Sequence, residues 1–369
     1  MGSGLTKYSR FAFEVLNEFY SVFAAGPLGI TFVAYNGIVH HNFFKTLFMT
    51  SLTIASLIYY FRGTQFVTPS KNKVVFITGC DSGLGFSLAQ HISDFGFTVV
   101  ACFLNLESEG AKILKNRKGL IPVELDLTDE ENIAIVVKTL MLFVEDESRE
   151  LYAVINNAGI MVFGEFEWLT ESLIEQQIYI NLYGSMKITK ALCPLLRKSK
   201  GRIITITSHC ALASLPGLSV YGATKAALQA WSDGLRVEMA KYGVKVLTFV
   251  PGSFVHRSGI LGRQSTFADE MSEAMTQEQK KFYGDYFQRY NMYLNSIPTP
   301  QCPEKIDDAN LYELFELALT DVNPKSIYLN EPWRYKFYHA IFRFSPCFIR
   351  DYFIVKFMAM PEYKPRPGF

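Results

Sequence analysis

The chain has 369 residues, 49% of them apolar and 15% aromatic, and its 36 Lys and Arg nearly balance 35 Asp and Glu. That length holds one large α/β domain with appendages or two small domains. The balanced charge, with no basic run, points away from nucleic acid. The scattered cysteines at 80, 102, 193, 210, 302 and 347 form no Cys-x-x-Cys pair or zinc-spaced cluster, so reduced thiols and no metal are expected.

Residues 1–18 are polar and mixed in charge. Between Glu18 and Lys45 no charged side chain occurs, although Gly26, Pro27, Asn36, His40 and His41 interrupt the stretch. A cleaner run, TLFMTSLTIASLIYYF, spans 46–61 and is closed by Arg62. A spanning helix needs about 20 apolar residues. Residues 1–62 therefore read as a membrane-associated region, one span with a re-entrant or interfacial partner; the alternative is a helical extension packed on the domain. A cleaved signal peptide fits poorly, because the apolar region starts late and lacks a small-residue cleavage site. Residues 63–72, GTQFVTPSKN, read as a polar linker.

From Lys73 short β-branched runs alternate with helical stretches: KVVFITG, FTVVACF, LIPVELD, LYAVINNAG, GRIITITS and GVKVLTFVPG. Alternation of this kind predicts a parallel sheet wrapped by helices, doubly wound through right-handed crossovers. A last strand is expected near 325–329. The domain is placed at 73–330, with a helical lid over 253–300 in which Phe282, Tyr286 and Tyr290 fall at i, i+4, i+8. The tail 331–369 mixes Phe and Tyr with Arg and Lys. It suits a membrane interface, with aromatics inserted and cations snorkelling, or helices that close a pocket.

Thr78, Gly79, Asp81, Ser82, Gly83, Leu84 and Gly85 follow the first strand and open a helix. Glycines there let a pyrophosphate reach the backbone, and the helix start supplies free N–H groups. Asp126 follows the third strand in LDLTD; Asn157, Ala158 and Gly159 follow the fourth in NNAG; Pro251 and Gly252 follow the sixth. In Tyr221-Gly-Ala-Thr-Lys225 the four-residue spacing stacks Tyr and Lys on one helical face, where an ammonium should favour tyrosinate. Ser208 ends the strand GRIITITS thirteen residues earlier, and Asn181 stands in INLYGS.

The glycine spacing and this ordered set resemble the short-chain dehydrogenase/reductase family over roughly 72–330. The resemblance implies a Rossmann-type fold and a nicotinamide-dependent exchange of hydroxyl and carbonyl. Tyr221 would be the acid/base and Ser208 would orient the substrate oxygen. Lys225 would hold the nicotinamide ribose, with Asn181 supporting a water relay to it. Asp126 would meet the adenine, and the NNAG turn would stand beside the cofactor. Where family members often carry Thr after Pro-Gly, this chain reads Ser253-Phe254-Val255-His256-Arg257, so Ser253 or His256 would have to contact the carboxamide. His209, beside Ser208, reads as pocket wall rather than catalyst. NAD is expected over NADP, because Asp81 and Phe103-Leu104-Asn105 offer no cation to a 2′-phosphate.

TGCDSGLG resembles most the branch of retinol, hydroxysteroid and 3-hydroxybutyrate dehydrogenases. That branch implies a lipophilic steroid or retinoid substrate, met by His209, Phe254, Phe282 and Tyr286. It also implies association with the endoplasmic reticulum membrane, or with the mitochondrion as the alternative. Segments such as INNAGIMVFGEFEWLT and EPWRYKFYH resemble insect short-chain dehydrogenases of ecdysteroid synthesis, which would make the substrate an ecdysteroid precursor. Pairing through helices near 170–198 and 220–242 would give a homodimer or homotetramer. Two alternatives stand beside this reading: a 3-hydroxybutyrate-type enzyme holding its anion on Arg257, or a non-catalytic, membrane-tethered NAD-binding protein.

Overall fold

The structure is a computed structural model that describes Ser51 and residues 65–364, apart from 147, 301, 333, 334, 336, 339, 340, 343, 344 and 359. The expected membrane region at 1–62 therefore lies outside the described residues, save Ser51. Among the described residues no helix is long and apolar enough to cross a membrane. The unit that begins at Gln65 is considered below.

Seven parallel strands form its sheet: β1 (Lys73–Ile77), β2 (Thr98–Phe103), β3 (Leu120–Glu124), β4 (Glu150–Asn156), β5 (Arg202–Ile206), β6 (Lys245–Val250) and β7 (Ile327–Leu329). Their order is β3-β2-β1-β4-β5-β6-β7. The chain thus winds outward from β1 to one edge and then from β4 to the other. Ligands bind at this reversal, beyond the carboxyl ends of the strands. The central strands read as unbroken apolar runs because helices cover both faces. In β1, Val75 and Ile77 join one core cluster with Phe86, Leu88 and Phe315, whereas Val74 and Phe76 join the opposite one with Leu140, Ile188 and Leu196.

The connecting helices are α1 (Gly83–Phe95), α2 (Glu109–Leu114), α3 (Glu130–Asp146), α4 (Glu171–Ile178), α5 (Ser185–Ser199) and α6 (Ser219–Ala240). One wide π turn, Tyr179–Gly184, joins α4 to α5. Beyond β6 come two short 3-10 turns, then α7 (Gln264–Ala274), α8 (Gln277–Tyr283), α9 (Tyr286–Asn295) and α10 (Ala309–Thr320). A final helix, α11, spans Cys347–Met358. The segment before β1 is pinned rather than free: Phe66 bridges Asp321, and Val67 N–H donates to the Thr320 carbonyl at 2.7 Å.

Candidate active site

At the switch point the loop from β1 to α1 is built for close backbone approach. Gly79 has φ +71°, and a Cβ there would stand 2.8 Å from Ala158 Cα. At Gly85 the constraint is spatial: a Cβ would lie 2.1 Å from the Gly79 carbonyl oxygen and 2.4 Å from Asn157 Nδ2. The NNAG turn clasps this loop. Asn157 Nδ2 donates to the carbonyls of Thr78 and Gly79 at 2.8 and 2.9 Å, while Asn157 and Ala158 N–H donate to Thr78 Oγ1 at 3.1 and 3.0 Å. The start of α1 has no side-chain cap from Ser82, so its first N–H groups remain available to an anion. The uncapped helix start and the close packing that glycine allows at 79 and 85 fit a pyrophosphate held on backbone N–H groups.

Asp81 has an internal partner that the sequence did not disclose. Its carboxylate accepts the backbone N–H of Leu104 at 2.9 Å and of Asn105 at 3.3 Å, which ties the glycine loop to the end of β2. Asp126 Oδ1 accepts the N–H and hydroxyl of Thr128 at 2.8 and 2.7 Å. Asp81, Asp126, Leu104 and Asn105 all border one cavity of about 620 Å³.

The same cavity reaches Ser208, Tyr221 and Lys225. Ser208 leaves β5 in extended conformation, and its Oγ accepts Cys210 N–H at 3.2 Å. The Ser208 side chain acts on the Tyr221 hydroxyl to favour its ionised form. One turn along α6, Lys225 Nζ stands 5.8 Å from the centre of the Tyr221 ring and donates to the Ile206 carbonyl at 3.0 Å. Burial lowers Lys225 to about 8. Burial also raises Tyr221 above its ordinary value, helped by neighbouring Cys210 and opposed by the Ser208 side chain. In the chain by itself desolvation sets the direction at Tyr221, and the Lys225 ammonium is itself desolvated and bonded to the backbone.

Asn181 is fully buried in the π turn. Its Oδ1 accepts Ile160 N–H at 2.7 Å, and its Nδ2 donates to the Ile160 carbonyl at 2.9 Å and to Thr224 Oγ1 at 3.2 Å. It locks the segment leaving NNAG to α6, and its side-chain hydrogen bonds go to Ile160 and Thr224 rather than Lys225. A Cβ on Gly159 would meet Asn181 Oδ1 at 3.1 Å and Lys225 Nζ at 3.5 Å, so the glycine keeps the two groups neighbours.

Pro251, Gly252, Ser253 and Phe254 border the cavity after β6. His209 borders it too, stacked on Tyr335 at 5.4 Å with Nδ1 3.2 Å from Glu331 Oε1. That is the placement of a wall residue. The side chain of His256 lies outside the described residues. Arg257 donates to the Asp307 carbonyl at 2.9 Å and does not line the cavity, whereas Arg263 does.

Two expected substrate contacts are not on the cavity. Phe282 stacks on Tyr363 at 5.6 Å. Tyr286 donates to Glu165 Oε1 at 2.6 Å and lies edge-on to Trp168 at 5.5 Å. Trp168 also meets Tyr283, Phe287 and Tyr290, at 5.4, 5.1 and 5.1 Å. The expected i, i+4, i+8 stripe is broken at Gly284, whose φ of +56° ends α8: Phe282 stays on α8, exposed, while Tyr286 and Tyr290 on α9 pack around Trp168 in the core of the lid. Cavity-lining residues missed by motif reasoning include Met161 and Phe163, just after NNAG, and Phe267 on α7. Their signal was only proximity to a motif. The tail supplies Tyr335, Tyr338, Phe342, Phe357 and Met358, so of its two readings pocket closure is what these residues do.

A glycine cradle at the switch point and a Tyr–Lys–Ser set bordering the same cavity define a nicotinamide-dependent alcohol dehydrogenase. The short chain dehydrogenase family model matches residues 73–259. Estradiol 17-beta-dehydrogenase 2 of Rattus norvegicus is 31% identical over 325 residues, covering 87% of this chain and 84% of that protein. Retinol dehydrogenase 7 of Mus musculus is 33% identical over 300 residues, covering 80% and 92%. The mitochondrial D-beta-hydroxybutyrate dehydrogenase of Bos taurus is 35% identical over 249 residues, covering 64% and 72%. Among solved structures, a short-chain dehydrogenase from Streptomyces avermitilis superposes with a TM-score of 0.53 at 25% identity, over 70% of this chain and 88% of that one. The chain belongs to the short-chain dehydrogenase family.

Proposed function

We propose that the chain uses NAD(H) to interconvert a hydroxyl and a carbonyl on a steroid or retinoid. The observation that carries the substrate class is the cavity itself, in which Tyr221 and Ser208 stand at one end of a wall built from Met161, Phe163, Phe254, Phe267 and Phe357. Such a wall rewards an apolar skeleton and leaves one oxygen to be held. The names of the relatives, estradiol 17-beta-dehydrogenase and retinol dehydrogenase, support the same class. Within the steroids, the likeness to ecdysteroid-synthesis enzymes favours an ecdysteroid precursor.

Ser208 orients the substrate oxygen by a hydrogen bond and stabilises charge that develops on it. Tyr221 takes the hydroxyl proton in oxidation and returns it in reduction. Lys225 holds the ribose of the cofactor, and Asn181 carries the route by which protons reach the lysine. The nicotinamide ring, when bound, supplies the hydride acceptor or donor. Thr78, Gly79, Ser82, Gly83, Leu84 and Gly85 cradle the pyrophosphate. Asp81 and Asp126 border the adenosine end, while Asn157, Ala158, Gly159, Pro251 and Gly252 border the ring. NAD is favoured over NADP because the Asp81 carboxylate, bonded to the end of β2, would repel a 2′-phosphate. Dimer or tetramer formation through α4–α6 and residence on the endoplasmic reticulum membrane complete the reading.

The deciding experiment is an NADH-fluorescence screen of the full chain in detergent and lipid, against steroid, retinoid and 3-hydroxy-acid panels with both cofactors. NAD-dependent turnover of a steroid alcohol or retinol is expected. Turnover confined to hydroxy acids would instead place a carboxylate near Arg263. Cofactor binding without any turnover would make the chain a binding protein.

A further inference from the structure

One strong cation on the cavity wall has no part in the chemistry of Tyr221, Lys225 and Ser208. Among the described residues bordering the cavity, the Lys and Arg are Lys225 and Arg263, and the carboxylates are Asp81 and Asp126. Lys225 stands beside Tyr221 and is bonded to the Ile206 carbonyl. Arg263 immediately precedes α7 and is exposed. Its guanidinium lies over the Phe267 ring at 5.0 Å, and no carboxylate among the described residues takes it. An arginine stacked by its plane keeps its N–H edge for an oxyanion.

The path of the chain brings Arg263 to the glycine loop. A Cβ on Gly83, whose φ is +58°, would stand 2.8 Å from Ser258 Cβ, and one on Gly259 would stand 2.8 Å from Ser82 Oγ. Residues 258–259 therefore rest directly on the start of α1, where Ser82 leaves the first N–H groups uncapped. Only the 3-10 turn Gly259–Leu261, closed by Gly262 N–H on the Gly259 carbonyl at 2.9 Å, separates that contact from Arg263. Charge argues the same way. A pyrophosphate is a dianion, Asp81 on the same loop repels it, and backbone N–H groups answer it with partial charges alone. An anion on the substrate would fit this arginine less well. Phe267 beneath it belongs to the apolar cluster of Met161, Phe163 and Met271, where a carboxylate would lose its water with few donors to replace it.

We propose that Arg263 is the counter-ion of the cofactor's pyrophosphate, carried to the glycine loop by the segment after β6. The cradle is then completed by two segments, with backbone N–H groups from α1 and a guanidinium from the lid. Because Arg263 leads into α7, whose Phe267 borders the same cavity, the cofactor also steadies part of the wall that the substrate meets. The inference rests on the NAD(H) reading and adds to it a residue outside the glycine loop.

The test measures binding rather than turnover. Affinities for NADH and ADP-ribose are taken by titration calorimetry on the full chain in detergent, for the unmodified protein, Arg263→Gln and Arg263→Lys. Adenosine, which has no phosphate, is measured as a competitor of NADH fluorescence. Arg263→Gln should raise Kd for NADH and for ADP-ribose alike by about tenfold, the worth of one charge-assisted hydrogen bond, and leave adenosine unchanged. Arg263→Lys keeps the charge without the fork and should recover part of the loss. Because the residue is exposed, the loss should shrink as salt is raised, and the melting temperature should stay where it was. Unchanged affinity for both nucleotides in Arg263→Gln overturns the inference and leaves the NAD(H) reading intact. An equal loss for adenosine overturns it too, since the effect then lies in the fold of the loop. So does a variant that binds both nucleotides normally and raises KM only for an alcohol bearing a carboxylate, because the cation then serves the substrate. If the unmodified chain binds no nicotinamide nucleotide, the function proposed above fails and this inference with it.

Discussion

The two ends of the cavity are made in different ways. The cofactor and catalytic end is fixed atom by atom: Thr78, Asn157, Asn181 and Lys225 each satisfy named backbone groups, and a single added methyl at Gly85 has nowhere to go. The far end is fixed only by bulk. Tyr338, Phe342 and Phe357 fill space against one another, with Phe267 on the same lining, and many other apolar sets would fill it as well. Chemistry demands particular atoms at particular distances, whereas a greasy wall demands volume.

The largest expected effect lies at the fixed end. Tyr221→Phe keeps the ring and removes the hydroxyl that borders the cavity beside Ser208. Turnover should fall by about 10² to 10⁴-fold, the usual worth of a general acid/base. Cofactor binding, followed by quenching of protein fluorescence, should be unchanged. Retained turnover would show that the two ends share one standard of tolerance after all.

Gly85→Ala comes next, because its Cβ would meet the Gly79 carbonyl at 2.1 Å. Both partners are backbone or tightly clasped, so the loop must shift. A loss of about 1 to 3 kcal/mol by denaturant titration is expected, with cofactor affinity falling alongside. An unchanged midpoint would mean that the loop yields cheaply.

Lys225 gives a pH signature of the fixed end. Its folded value is lowered to about 8 by burial, from an ordinary 10.5. Between those values the unfolded chain binds the extra proton, so stability should rise with pH, by about 3 kcal/mol in all at 1.36 kcal/mol per unit. The contribution is absent below about 8, where both states are protonated. Denaturation of Lys225→Met beside the unmodified chain at pH 7.5, 9 and 10 isolates the slope. Parallel curves would show that the amine is not desolvated.

The same division explains what could be read from the chain alone. The alternation of strands and helices, the glycine loop and the set Ser208, Tyr221, Lys225 were legible because each is a local signal with fixed spacing. Even there the sequence did not disclose that Asp81 is bonded to the end of β2, nor that Asn181 clamps Ile160, since both partners come from distant segments. Nor did it show how strongly burial acts on Tyr221 and Lys225, because desolvation depends on everything packed around a group and not on its neighbour one turn away. The lid was misread for a related reason. The chain breaks at Gly284, so Phe282 ends up on α8 and only Tyr286 and Tyr290 share a stripe, on α9; spacing shows that a face is apolar and not what covers it, and Trp168, more than a hundred residues earlier, covers these two.

The smallest effect separates the two aromatic groups directly. Phe357→Ala removes a ring that lines the cavity and anchors Tyr335 and Tyr338, whereas Phe282→Ala removes one that stacks on Tyr363 away from it. For a lipophilic alcohol, KM should rise roughly tenfold with Phe357→Ala, since about 1.4 kcal/mol is a modest share of an aromatic contact. It should hardly move with Phe282→Ala, while kcat stays near its original value in both. Thermal unfolding must accompany the kinetics, because either truncation can loosen its own cluster. If Phe282→Ala raises KM as much as Phe357→Ala at equal stability, the lid reaches the substrate in the working enzyme, and the wall is not the C-terminal segment's alone. If neither moves KM, the bulk at this end is interchangeable, and the substrate is held chiefly by the oxygen bound at Ser208 and Tyr221.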